Sequence, residues 1–312
     1  VIRYLLKQLA YMAVTLLAVS FLVFALNEFA PGDVARKILG AYATQEQVDA
    51  LTAELGLDRP LLVRYVEYLG RVFRGDLGES LIYKAPVADV LWDRLGNTLY
   101  LAAIAFAVVV PLSILLGTLA GMREGSVMDR GISLFGVFAA SVPEFAMGVF
   151  LASVFAVWLG WLPGTSQLTS GAGWSIASQL VLPVAVMVLY DMGYLVAMIR
   201  ASMVEVMRQP YVRTAVLKGM SMTRVIFRHA LRNAMIAPFT VILLQINYLV
   251  AGVVVVETVF AYPGFGRMML EAALAKDIAL IEAGALVAVF IAMLTQFVGD
   301  LGYAALDPRI RI

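Results

Sequence analysis

Two carboxylates, Glu144 and Asp191, stand inside long apolar stretches of this 312-residue chain. A carboxylate at the middle of a bilayer costs roughly 2.5–3.5 kcal/mol on insertion scales, so each should face a cavity or a partner. Two uses fit that need. Both could line or gate a route for a cationic or amine-bearing solute. Both could equally bond to a backbone group, a salt-bridge partner or a second subunit. Asp191 lies nine residues before Arg200, which is about 13 Å along a helix. Little else in the chain invites covalent chemistry. There is no cysteine, so no thiolate metal site and no cysteine nucleophile. The single histidine, His229, follows Arg228 with no acid, nucleophile or metal cluster beside it, which marks a packing or hydrogen-bonding residue. No G-x-x-x-x-G-K-[ST] loop is present, so ATP must bind elsewhere if it is used at all. G-x-S-x-G and H-E-x-x-H are missing too. The chain is expected to be no enzyme, with no catalytic residue, metal or cofactor of its own.

The elements around these residues are those of a membrane protein. Hydrophobic residues make up 62%, charged residues 14%, and the mean hydropathy is +0.89. A soluble domain is roughly 45–50% apolar and about 25% charged, so a soluble enzyme and a disordered chain are both excluded. The net charge of +1 gives no pull toward nucleic acid. Six charge-poor runs approach the ~20 residues a spanning helix needs: 8–27, a run within 95–122, 131–162, 179–199, 234–256 and 283–299. The first is longer than a signal-peptide core and is expected to remain as a span. The third is long enough to tilt or break, and Pro143 is the expected break because proline removes a backbone donor. The second contains Gly117-Thr118-Leu119-Ala120-Gly121, a spacing that allows close helix packing. Trp158 and Trp161 read as interfacial anchors.

Charge sets the orientation. Segment 200–232 holds seven basic residues against one acid, while 163–178 has no charge. The positive-inside rule puts 200–232 and both termini in the cytoplasm. Segments 31–97 and 257–282 then lie outside. Segment 31–97 reads as a small helical external segment. Thr44 and Gln47 make a capping box for one helix, expected to end near Gly56. A second should start near Pro60, with Leu61, Leu62, Tyr65, Leu69, Val72 and Phe73 on one face. In 200–232, Pro210 can open a helix and Gly219 can end one, with Ser221 as a candidate cap for a second helix, 222–234. Such an elbow could present a rigid element to a soluble protein, or could be a basic loop that holds anionic lipid. Pro263, Gly264 and Gly266 suit a tight external turn before a short helix, 267–275.

Read in order, these pieces resemble one family, the membrane permease subunits of dipeptide, oligopeptide and nickel ABC importers. The similarity is to the subunit type with a long first periplasmic segment. It rests on Ala30-Pro31-Gly32-Asp33, Leu55-Gly56-Leu57-Asp58-Arg59-Pro60-Leu61, Arg74-Gly75-Asp76-Leu77-Gly78-Glu79-Ser80 and Arg94-Leu95-Gly96-Asn97-Thr98. Further along are Tyr211-Val212-Arg213-Thr214-Ala215-Val216-Leu217-Lys218-Gly219, Arg228-His229-Ala230-Leu231-Arg232-Asn233-Ala234, Tyr262-Pro263-Gly264-Phe265-Gly266-Arg267 and Leu306-Asp307-Pro308-Arg309-Ile310-Arg311.

The resemblance implies an all-α, polytopic fold of six transmembrane helices of the type I ABC importer permease kind, in a bacterial inner membrane. It implies residues 1–30 as the N-terminus and first span, 31–97 as a periplasmic helical segment, and 98–312 as the core with a cytoplasmic coupling loop, 200–232. That loop resembles the EAA loop, with Arg213-Thr214-Ala215 in the E-A-A place and Gly219 in the glycine place. Its first helix, with Tyr211, Arg213, Thr214, Ala215, Lys218, Gly219 and Ser221, would dock on an ATPase. The implied partners are a second homologous permease, two ATPase subunits that bind ATP and Mg, a periplasmic binding protein and membrane lipid. Peptides are the implied cargo; nickel, an opine or an oligosaccharide would fit the same class. A self-contained secondary transporter is a rival, but it calls for inverted repeats and paired broken helices that the sequence does not display clearly.

Overall fold

The computed structural model describes residues 2–29, 36, 39–40, 42–54, 58–168, 174–251 and 253–306. Ala30 to Asp33, Leu55 to Leu57 with the helix end expected at Gly56, and Asp307 to Arg311 lie outside the described residues. The helices are α1 (Ile2–Phe29), α2 (Gln45–Glu54), α3 (Leu61–Phe73), α4 (Val87–Met122), α5 (Val127–Ser141), α6 (Glu144–Trp158) and α7 (Trp174–Met207). After them come α8 (Pro210–Leu217), α9 (Met222–Ala234), α10 (Ile236–Ala251), α11 (Val254–Val259), α12 (Phe265–Ala275) and α13 (Ile278–Leu306). Among the described residues the only β feature is an isolated bridge, Glu79 to Pro86.

Among the described residues four helices, α1, α4, α7 and α13, are long and apolar enough to cross a bilayer. Two bent pairs raise the number to six: α5 with α6, and α9 with α10. The first pair turns by 99° at Val142 and Pro143, where the sequence predicts the break. The second turns by 58° at Met235. The all-α, multi-span architecture expected from the apolar runs is the one observed.

The chain divides into two compact units, Val1–Trp92 with Glu271–Phe290, and Asp93–Leu270 with Ile291–Ile312. In the first, the Thr44 box closes as expected: the Gln47 amide N–H bonds Thr44 Oγ1 at 3.4 Å and the Thr44 N–H bonds Gln47 Oε1 at 3.0 Å. Helix α3 begins after Pro60 and meets α1 through two tyrosines. Tyr65 Oη bonds the Leu17 carbonyl at 3.1 Å, and the Phe24 ring lies 5.6 Å from Tyr65 and 5.4 Å from Tyr68. Only part of the expected apolar face is covered: Leu61, Tyr65, Leu69 and Val72 are half-buried, Leu62 and Phe73 are exposed, and the buried residue of the helix is Tyr68, outside that set. Elsewhere in this unit Asp277 caps α13 and accepts from Ser80 Oγ at 2.6 Å and the Ile82 N–H at 3.2 Å.

In the second unit, α7 is the central element. It is buried along most of its length and packs on α4, α5, α6 and α10. Gly117 and Gly121 set the approach of α4 to α7. A Cβ added at either would fall 2.7 Å from Ile199 Cβ or 2.5 Å from Met203 Cβ. This is the small-residue contact expected where helix association depends on van der Waals fit.

Candidate functional site

The basic segment folds as an elbow. Pro210 occupies the first turn of α8, where its missing N–H costs nothing. Gly219 ends the helix with φ +80°, a left-handed conformation that side chains with a Cβ resist. The Met220 N–H returns to the Ala215 carbonyl at 3.3 Å and the Gly219 N–H to Val216 at 2.9 Å, the paired bonds of a Schellman end. Met220 then packs against the buried cluster of Val212, Ala215 and Val225, which seats α8 on α9. The turn is therefore fixed by hydrogen bonds and by packing. Ser221 begins α9, but its side chain makes no capping bond; only its carbonyl serves, accepting from the Val225 N–H at 3.0 Å.

Burial divides the expected docking residues. Tyr211, Arg213, Thr214, Lys218, Gly219 and Ser221 are exposed, while Ala215 is buried and anchors the helix. Val216 and Leu217, absent from the expected set, are exposed at 41% and 81%. The outward surface of α8 thus mixes two apolar side chains with two cations. Tyr211 also braces the elbow, its hydroxyl accepting from Asn233 Nδ2 at 3.1 Å.

Two residues on α7 tie the elbow and α5 to the bundle. Arg200 makes a two-point ion pair with buried Asp129, with Nη2 to Oδ2 at 2.7 Å and a second bond from Nε to Oδ1. Asp129 carries a legible signal: Ser126-x-x-Asp129 is a capping pattern, and Ser126 Oγ accepts the Asp129 N–H at 3.1 Å. Ser202 acts where α9 breaks from α10. A straight helix would bond the Ala234 carbonyl to the N–H four residues on. That residue is Pro238, which has no N–H. Ser202 Oγ donates to Ala234 O instead, at 2.6 Å. Ser202→Ala leaves a buried carbonyl unmet and should cost about 1–3 kcal/mol. A lower melting temperature of the purified protein, restored by Ser202→Thr, is the expected result.

Asp191 is buried on α7, 6% exposed, and Glu144 stands in the first turn of α6, just after the Pro143 break. No cation is paired with either carboxylate among the described residues.

The Pro263 turn is built around a residue absent from the expected set, Glu257. It is fully buried in α11. Its carboxylate accepts from Thr98 Oγ1 and, at 2.8 Å, from the Arg267 N–H. The Phe265 N–H bonds Thr98 Oγ1 at 2.8 Å, Asn97 Nδ2 bonds the Pro263 carbonyl at 2.9 Å, and Tyr262 Oη bonds the Asn97 carbonyl at 2.7 Å. Burial pushes the Glu257 carboxyl above the usual carboxylate range, and the Thr98 and backbone bonds oppose that shift. Gly264 and Gly266 serve this carboxylate by lacking side chains. A Cβ at Gly264 would collide with Glu257, and one at Gly266 would fall 2.6 Å from Val254 Cγ2. The expected tight turn is present, with the Gly264 N–H on the Tyr262 carbonyl at 2.9 Å. Its backbone is not left-handed, and close approach to Glu257 and Val254 is what keeps these two positions free of a side chain. The short helix begins at Phe265, two residues earlier than expected.

The apolar helices and the basic elbow define a polytopic membrane protein. Residues 113–312 match the family described as binding-protein-dependent transport system inner membrane component, and residues 1–102 match that family's N-terminal component. The chain belongs to this family, and so is the permease component of an ABC importer. The di/tripeptide transport system permease protein DppB of Pseudomonas aeruginosa is 33% identical over 327 residues, covering 98% of this chain and 97% of that protein. A Brucella abortus protein provisionally named a peptide transport system permease is 37% identical over 309 residues, with 98% of each chain covered. An inward-facing MetNI methionine ABC transporter structure is similar in fold, with a TM-score of 0.51 at 16% identity over 71% of this chain and 96% of that one. An amino acid ABC transporter crystal structure gives 0.51 at 13% identity over 77% and 98%.

Proposed function

We propose that this chain is one of two homologous permeases of an inner-membrane importer that moves peptides delivered by a periplasmic binding protein. The full-length similarity to the P. aeruginosa di/tripeptide permease supports the cargo class. Two ATPase subunits hold ATP and Mg, and this chain performs no catalysis. Both termini and the elbow are cytoplasmic, and 31–97 and 257–282 are periplasmic. The observation that carries the mechanism is the doubly fixed end of α8. A helix held by a Schellman turn and a buried cluster moves as a lever, whereas a free loop would absorb the motion. Arg213, Thr214 and Lys218, with Val216 and Leu217, face the ATPase, and Ala215 and Gly219 hold the lever's shape. Displacement of the elbow reaches the spans through Ser202 and Arg200 on α7.

Asp191 and Glu144 line the route in this reading. Two carboxylates without a cation favour a solute that carries one, such as the ammonium group of a peptide. Asp191→Asn and Glu144→Gln should each weaken uptake of a cationic peptide more than of an N-acylated neutral one, by roughly tenfold if one charge contact of ~1.4 kcal/mol is lost. The test is uptake of both peptides into vesicles bearing the complete transporter. Equal uptake by wild type and both variants would remove the two residues from the route. Competition of the same uptake by nickel or an oligosaccharide, and none by peptides, would overturn the cargo.

A further inference from the structure

Helix α3 has three distinct faces. Tyr65 and Tyr68 point at α1, with Tyr65 Oη also 2.6 Å from Ser20 Oγ. Arg64, Glu67 and Arg71, at spacing i, i+3, i+7, form a charged face. Leu62, Val66 and Phe73 fall on a third stripe, and they are 65%, 66% and 82% exposed. At 100° per residue these three lie within about 40° of one another. A stripe of that kind on a helix bathed in water would be an exposed apolar patch needing a cover.

The depth of α3 along α1 names the cover. The apolar stretch of α1 runs Leu6–Asn27. Ser20 and Leu17 lie seven and ten residues before Asn27, about 10 and 15 Å inside its end. The half-thickness of the hydrocarbon core is also about 15 Å. The Tyr65 hydroxyl therefore reaches down to acyl-chain depth, while Tyr68 and Arg64 lie against Phe24 nearer the end of that stretch, so α3 runs between the acyl chains and the head groups. The stripe is continuous in character with α1 itself, which exposes Leu17, Leu22 and Leu26. A charged face opposite an apolar one is also the pattern of helices that lie in the membrane interface.

We infer that α3 is an interfacial membrane helix, with Leu62, Val66 and Phe73 inserted among lipid acyl chains and Arg64, Glu67 and Arg71 at head-group level. The segment 31–97 is then anchored to the bilayer, holding the start of the external region at a fixed height. This inference rests on the packing of α3 against α1; only the choice of leaflet rests on the topology proposed above. The two can fail separately.

The chain has no native cysteine, so single-cysteine variants give an unambiguous label. Val66→Cys, Phe73→Cys and, on the charged face, Glu67→Cys would be labelled with an environment-sensitive fluorophore in the assembled transporter in phosphatidylcholine nanodiscs. Quenching by lipid carrying a nitroxide at acyl carbon 5, and by iodide, would be read. Expected is about threefold stronger lipid quenching at 66 and 73 than at 67, with iodide giving the reverse order. Iodide quenching at 66 and 73 equal to that at 67 would overturn the inference. So would protection of 66 and 73 from both quenchers, because a protein partner would then be the cover. An impermeant thiol reagent applied from one side to Glu67→Cys in right-side-out vesicles reports the leaflet independently.

Discussion

Gly264→Val is expected to leave almost no folded protein. Its side chain would occupy the place of the Glu257 carboxylate, which meets Thr98 and the Arg267 N–H from that position. Overpacking alone costs about 1–3 kcal/mol, and stripping a buried charged group of its hydrogen bonds costs a further 3 kcal/mol or so. Against a total stability of about 5–15 kcal/mol this is a large share. Size-exclusion chromatography of detergent-extracted protein should show aggregate in place of the monodisperse peak. Gly131→Ala is the control, since an added Cβ there meets nothing within 4 Å. A monodisperse, normally abundant Gly264→Val protein would mean that the buried knot does not hold the turn.

The second large effect lies on the opposite kind of surface. Leu217→Asp should fold normally, because residue 217 is 81% exposed and its change touches no buried group. It should nevertheless release the ATPase subunits and lower uptake at least tenfold, a loss of about 1.4 kcal/mol or more at the contact. An apolar anchor at the centre of an interface is worth this much or more, and a carboxylate in its place adds a desolvation cost. Val212→Asp makes the contrast. It places a charge in the cluster that seats α8 and should lower the melting temperature as well as the association. Leu217→Asp with full ATPase association would detach α8 from the coupling role.

Much of this was legible in the sequence, for local reasons. Pro143 marks its own break, because a missing donor acts wherever the residue stands. Pro210 and Gly219 bound α8 through backbone chemistry alone. Gly117 and Gly121 announce a close contact by spacing, although Ile199 and Met203 as the partners could not be read. The contacts that hold the site are the less legible part. Thr98 and Glu257 are 159 residues apart, and no local pattern pairs them. The two glycines near Pro263 were legible as turn residues, but their close approach to Glu257 and Val254 was not. Ser202 had no periodic or motif signal, and its role appears only once the Ala234 carbonyl is seen to face it. Asp129 did have a local capping signal, but nothing local pairs it with Arg200, 71 residues away.

The most direct measurement of the central claim uses one engineered thiol. Lys218→Cys lies at the exposed end of α8 in a chain otherwise free of cysteine. A short thiol-to-amine crosslinker applied to the assembled transporter should join residue 218 to an ATPase subunit. Its yield should change when a non-hydrolysable ATP analogue is bound. A cysteine at Trp161, 70% exposed beyond the far end of α6, should give no such adduct. No adduct at 218, or an equal one at 161, would contradict the account of the elbow as the coupling element.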